Sequence, residues 1–329
     1  MKVEVDPRRR PTIIGLLVIL AILAAAGPFL ASNRYAIQVA TLILLFAYLA
    51  SGWNILSGYG GQFSFGHAAF FGLGAYTSTI LFVKFGVSPW VGMLAAGLVS
   101  ALLGLFIGLA CFRSGLRGAY FALATLAFAE ILRVIFVNWD WVGRSQGLLI
   151  QLVGDEPLLF QFTARLPYYY IALALLALVS GVALLLERLK LGYELRAIKS
   201  NEVAAAVLGV DVFRAKMWAM GLSAFFTGIG GTFYAQYLYY IEPFQVFGVG
   251  MSVDILLPAI IGGAGTVIGP IIGAAILVLL GEGTRTFFRG FAGADLMVFG
   301  VILVLVILFM PYGVMGLLGS APKAKKESA

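Results

Sequence analysis

Residues 57–76 read SGYGGQFSFGHAAFFGLGAY and hold six glycines, the only histidine of the chain (His67), and the polar residues Gln62 and Ser64. On either side lie apolar runs at 36–56 and 67–84, each long enough to cross a hydrocarbon layer. In water a glycine weakens a helix by about 1 kcal/mol relative to alanine. In lipid, helices gain from close backbone approach, so small residues belong at their contacts. Gly66, Gly74, Ala68, Ala69 and Ala75 are therefore read as one packing face. The run GYGGQ at 58–62 is different: glycines this dense make poor helix. Broken backbone at membrane depth is tolerated only against protein or a water-filled cavity.

Outward from this stretch the pattern repeats. The 329 residues are 61% hydrophobic and only 11% charged, against about 25% charged in soluble domains. Further apolar runs lie at 12–31, 90–112, 118–138, 167–187, 216–238, 251–265, 267–281 and 296–312. They are continuous rather than alternating, which excludes an outer-membrane barrel. The expectation is an all-α, polytopic integral membrane protein of about ten transmembrane helices with two Gly-interrupted segments. The stretch 251–281 is read either as two tilted helices or as one re-entrant hairpin. The basic head and apolar stretch at the N-terminus resemble a signal peptide. Ile13–Ala31 is long enough to span, so it is read as a retained first helix. Cys111 allows no intramolecular disulfide and no cysteine metal site.

Basic residues set the expected orientation. Fifteen lie in the N-tail, the 113–117 turn, the 188–216 region and the C-tail, against six in the alternate loops, with Arg133 inside a span. The positive-inside rule places the first group in the cytoplasm. The expected organisation is a cytoplasmic tail at 1–11, a transmembrane domain at 12–312 and a cytoplasmic tail at 313–329. An external loop falls at 139–166 and a cytoplasmic loop at 188–215. The net charge of +7 is assigned to these loops beside membrane lipid and not to nucleic acid.

A second break, GGAGT at 262–266, repeats the grammar of the first. A Gly-Gly pair (Gly60–Gly61; Gly262–Gly263) precedes a hydroxyl (Ser64; Thr266), and a glycine then opens the next helix (Gly66; Gly269). Paired interruptions of this kind point to a transport path. The candidate path residues are Gly60, Gly61, Gln62, Ser64, Gly66, His67, Gly262, Gly263, Gly265 and Thr266. An internal repeat is the accompanying hypothesis.

The loop at 188–215 carries the other informative stretch. Asn201 is a helix cap, Glu202 suits the first turn, and Gly209 stops a short Ala-rich helix, EVAAAVL. Such a helix is either an exposed connector or a knob for a groove on a partner. It resembles the coupling loop of ABC importer permeases in the branched-chain amino acid family, through Arg196, Ala197, Ile198, Asn201, Glu202, Ala204, Ala205, Leu208 and Gly209. The opening stretch is similar to the M-type permease subunit of that family, through Gly52, Asn54, Gly58, Gly61, Gln62, Ser64, Gly66, His67, Ala68, Phe70, Gly74, Ala75 and Tyr76. So are TLAFAEILR (125–133), IIGGAGTVIGPIIGA (260–274) and LFMPYGVMGLLG (308–319). Departures are WDWVGRSQGL, which lacks a Gly-Gly after the tryptophan, Pro258 within a span, and Tyr312 in place of a basic residue.

The resemblance implies a transport subunit in the bacterial inner membrane, with no catalytic residue, metal or cofactor of its own. It implies as partners a second homologous permease, two ATP-binding subunits that hydrolyse ATP, and a periplasmic or extracellular solute-binding protein. The implied cargo is leucine, isoleucine or valine, moved inward by alternating access; related permeases carry urea or short amides. The implied coupling residues are Arg196, Asn201, Glu202, Ala204, Ala205, Leu208 and Gly209. An ion-coupled secondary transporter or channel is the alternative of another class, with Glu130, Asp254 and His67 as its available groups. An intramembrane enzyme is disfavoured, because Ser64 and His67 have no third orienting acid nearby in sequence. His67 is read as a helix-to-helix hydrogen bonder. Glu130 and Arg133, three apart on one helical face, are read as a mutual charge pair.

Overall fold

The computed structural model describes residues 10–152, 154–287, 297–298, 300–301, 304 and 313–317. The tail at 1–9, most of the expected span at 296–312 and residues 318–329 lie outside the described residues. Within them the helices follow the apolar runs. They are α1 (Arg10–Leu30), α2 (Arg34–Trp53), α3 (His67–Phe85), α4 (Pro89–Arg113), α5 (Gly118–Asn138) and α6 (Leu166–Leu186). Two short helices, α7 (Lys190–Ser200) and α8 (Glu202–Val207), fill the loop that follows. Then come α9 (Val212–Leu238), α10 (Pro243–Val246), α11 (Val249–Gly262) and α12 (Gly269–Phe287), with a helical turn at Gly313–Leu317. The 251–281 region is thus two helices joined by a turn.

Eight spans among the described residues have the length and apolarity to cross a membrane, with α10 and α11 forming one of them. The chain is a multi-pass membrane protein. α9 is not among the eight, and its environment explains why. Every residue from Phe226 to Tyr237 is buried, because α9 packs against α2, α3 and α4. A helix wrapped in protein needs no lipid-compatible surface, so it can carry Lys216, Thr227, Thr232 and Gln236.

Small residues bring these helices together. A Cβ added at Gly74 of α3 would lie 2.5 Å from the Gly228 Cα of α9, so the two backbones touch. Polar clasps add direction. Ser100 donates to the Phe70 carbonyl at 2.9 Å and joins α4 to α3. Tyr48 donates to the Phe226 carbonyl at 2.7 Å and joins α2 to α9.

Successive spans alternate in direction, so α7, α8 and the two glycine breaks share one end of the bundle. At the opposite end the 139–166 segment forms a strap. Two short strands, β1 (Leu148–Leu149) and β2 (Tyr240–Ile241), pair antiparallel with Leu148 opposite Ile241. Trp90 donates to the Pro157 carbonyl at 2.9 Å, and Lys84 donates to the Trp141 carbonyl. Trp139 and Trp141 stand exposed there, as aromatic side chains do at a membrane–water boundary.

Candidate functional site

α8 begins as its sequence predicts. The Asn201 side chain accepts from the Ala204 amide at 3.0 Å, and Gly209, at φ +87°, turns the chain away after Leu208. Glu202 does more than suit a helix dipole. One carboxylate oxygen meets Lys216 of α9 at 2.8 Å, and the other meets Arg117 of the α4–α5 turn at 3.3 Å. Lys216 is almost wholly buried, with its ammonium over the Phe112 ring. Glu202 therefore faces inward and clamps α8 to two neighbouring elements. Arg196 faces inward too, pairing with Glu187 at the end of α6 at 2.9 Å.

With Ala205 buried beneath, α8 turns Val203, Val207 and Leu208 outward, the last two more than four-fifths exposed. Ala204 is exposed beside them. Val203 and Val207 carry no polar signal, and reading the stub as merely Ala-rich passes over them. Their i, i+4 spacing on a six-residue helix is the cue that identifies the face.

The two glycine breaks meet at this end. After α2 the chain makes a wide π-helical turn over Asn54–Tyr59. The Asn54 carboxamide then spans the gap: its Oδ1 accepts from the Gly265 amide at 2.7 Å, and its Nδ2 donates to the Thr266 carbonyl at 2.9 Å. Lys199, next to last in α7, donates to the Gly58 carbonyl at 2.7 Å. Its stem covers Gly61, whose φ of +68° suits glycine and whose Cβ would lie 3.0 Å from Lys199. Partial burial against Gly58 and Gly61 pushes the Lys199 ammonium below its usual range, and the neighbouring charge of Arg196 adds to the effect. The two hydroxyls play parallel parts. Ser64 accepts from the Gly66 amide at 3.2 Å, and Thr266 accepts from the Gly269 amide at 3.1 Å, each where the next helix starts.

The breaks thus lie at helix ends, not midway along spans. Gly60, Gly61, Gln62, Gly262, Gly263, Gly265 and Thr266 gather into this cluster, held by Asn54 and Lys199, neither of which is among the candidate path residues read from sequence. Gln62 is buried, and its Oε1 lacks a hydrogen-bond partner among the described residues.

His67 is set apart from the cluster. Its Nε2 lies 2.8 Å from Ser223 of α9 and its Nδ1 lies 3.2 Å from Ser64. Ser223 gives its one proton to the Gly52 carbonyl at 2.8 Å, which assigns the ring proton to Nε2 and the accepting role to Nδ1. With both nitrogens engaged and the ring fully buried, His67 ties α2, α3 and α9 together. Glu130 and Arg133 are also set apart. They chelate each other on α5, through Nε at 2.9 Å and through Nη2, on a partly exposed face.

Against proteins of known kind, the chain matches the family described as branched-chain amino acid transport system / permease component over residues 35–307. It is 31% identical over 339 residues to the high-affinity branched-chain amino acid transport system permease protein LivM of Escherichia coli (strain K12), covering 95% of this chain and 77% of that one. It is 27% identical to the probable branched-chain amino acid transport permease protein LivH of Methanocaldococcus jannaschii, over 74% of this chain and 80% of the relative. The high-affinity branched-chain amino acid transport system permease protein LivH of Escherichia coli (strain K12) is 24% identical, over 84% of this chain and 92% of the relative. No solved structure matches the chain. The sequence blocks, the all-α polytopic architecture and these similarities agree: the chain belongs to the permease family of branched-chain amino acid transport systems.

Proposed function

We propose that this chain is one of two permease subunits of an ABC importer that moves branched-chain amino acids into the cell. The single observation that carries the reading is the build of α8. A short helix is clamped from inside by Glu202, Lys216 and Arg117 while Val203, Val207 and Leu208 stand out in solvent. An exposed apolar knob on a rigid mount suits a groove on another protein. ATP-binding subunits supply that groove, and their closure pushes α8. The clamp passes the push to α9 and to the α4–α5 turn, and the rigid helices rock between outward-facing and inward-facing states.

The α8 end faces the cytoplasm in this reading, as the basic residues there require. Both termini lie on that side, and a solute-binding protein docks on the strap at the other end. LivM and LivH of one organism carry the same system name, which supports a second, related permease beside this chain. ATP hydrolysis belongs to the partner subunits. Cross-linking tests the docking. In a Cys111→Ala background, a cysteine at Leu208 is expected to link to an ATP-binding subunit in the assembled complex. A Leu208 cysteine that stays freely labelled by thiol reagents in that complex contradicts the reading.

A further inference from the structure

α1 and α5 are the two candidate spans least covered by the rest of the chain. Their uncovered faces differ in kind. α1 presents Ile14, Leu17, Val18, Ile22 and Phe29, a surface that lipid accepts. α5 presents Leu123, Ile131 and Val134, and among them Glu130 and Arg133 with side chains 46% and 23% exposed. Glu130 lies well inside the helix, and Arg133 lies nearer its outer end, about 8 Å from Asn138 at the α-helical rise. Counting along α5, Glu130 is about 18 Å from Gly118 and about 12 Å from Asn138 at the α-helical rise. A charge at this depth faces protein or water, not hydrocarbon. The outer face of α5 is therefore covered in the assembly, or lines water.

The pair is also built to bind. Arg133 uses Nε and Nη2 on Glu130, which leaves Nη1 without a hydrogen-bond partner among the described residues. The guanidinium lies 5.0 Å over the exposed ring of Phe244, within cation–π range. One fixed cation, one carboxylate and apolar neighbours on the same face match the parts of an α-amino acid with an aliphatic side chain.

We propose that Glu130 and Arg133 are the membrane-level contact for the ammonium and carboxylate of the transported amino acid, on a path closed by the second permease against the outer face of α5. This rests on the permease reading above. Arg133 takes the substrate carboxylate in place of Glu130, and Glu130 takes the ammonium. The intrahelical pair closes again when the substrate leaves, so neither charge stands alone in the empty transporter.

The test uses the assembled complex in liposomes with its solute-binding protein and leucine as the probe. A pair that only neutralises itself on one helix survives reversal, because an i, i+3 pair re-forms with the charges exchanged. The proposal predicts that Glu130→Arg/Arg133→Glu and Glu130→Gln/Arg133→Met each lose uptake by about ten-fold or more while the subunits still co-purify. Uptake within about two-fold of the parent in either double variant overturns it. If the reversed pair fails to assemble, accessibility decides. Arg133→Cys with Cys111→Ala is expected to react with a membrane-impermeant thiol reagent in the complex, and an unreactive thiol overturns the path assignment. The underlying permease reading fails differently, through parent uptake that needs no ATP.

Discussion

The Glu202 carboxylate lies 2.8 Å from the Lys216 ammonium, which is buried with only 4% of its side chain exposed. Two helices meet at that contact, the six-residue α8 outside and the central α9 inside. A buried ammonium needs its counter-charge, and removing one partner of such a pair is more damaging than removing both.

Glu202→Ala leaves Lys216 buried and unpaired, and is expected to destabilise the purified complex by about 3 kcal/mol. Glu202→Ala/Lys216→Met restores most of that loss. Thermal unfolding of the three forms checks the order, and equal melting temperatures for the single and double variants rule out the clamp. Solute-stimulated ATP hydrolysis stays impaired in both, because α8 has lost its mount either way.

At the tip, Leu208→Asp and Val207→Asp place charge on the exposed apolar face of α8. Both side chains are more than four-fifths exposed in the chain alone, so membrane insertion and the fold are expected to be unaffected. Burying a leucine is worth about 2 kcal/mol, and a charge in its place opposes docking. Co-purification with the ATP-binding subunits should fall sharply. Retention at the parent level means that the knob docks elsewhere or not at all.

The Asn54 carboxamide joins backbone segments 211 residues apart in sequence. Asn54→Leu keeps roughly the same size and removes both hydrogen bonds. Amide hydrogen exchange is expected to rise at 262–268, where both of its hydrogen bonds end. Unchanged exchange there shows that the second break is held by other contacts.

Gly74 has no room for a side chain because Gly228 lies directly against it. Gly74→Val is expected to force α3 and α9 apart and abolish a folded, detergent-stable protein. Gly181 provides the control: a Cβ there meets nothing within 4 Å, and Gly181→Ala in the interior of α6 is expected to be neutral or stabilising by up to about 1 kcal/mol. Equal tolerance at both sites removes the close-packing argument.

Legibility from sequence followed distance along the chain. The Asn201 cap and the Gly209 stop are decided within a few residues, and both stand where the pattern put them. The apolar runs became helices because backbone groups in hydrocarbon must be satisfied within the segment. The inward turn of Glu202 was not readable, because Lys216 and Arg117 reach it from other elements and no periodicity encodes that meeting. The Asn54–Gly265 link was hidden for the same reason. The burial of α9 leaves a trace in the sequence: the run TGIGGTF at 227–233 is small and polar where a lipid-facing span would be aliphatic. Its three glycines mark the protein-packed helix as clearly as those of 57–76 mark their own contacts.

In the proposed mechanism, motion of α8, driven by ATP on partner subunits, opens and closes this bundle. Uptake of labelled leucine into liposomes tests it most directly, comparing the chain alone under an ion gradient with the full complex given internal or external ATP. No uptake is expected from the chain alone, and uptake by the complex is expected only with its solute-binding protein and with ATP on the α8 side of the membrane. Gradient-driven uptake by the chain alone contradicts it.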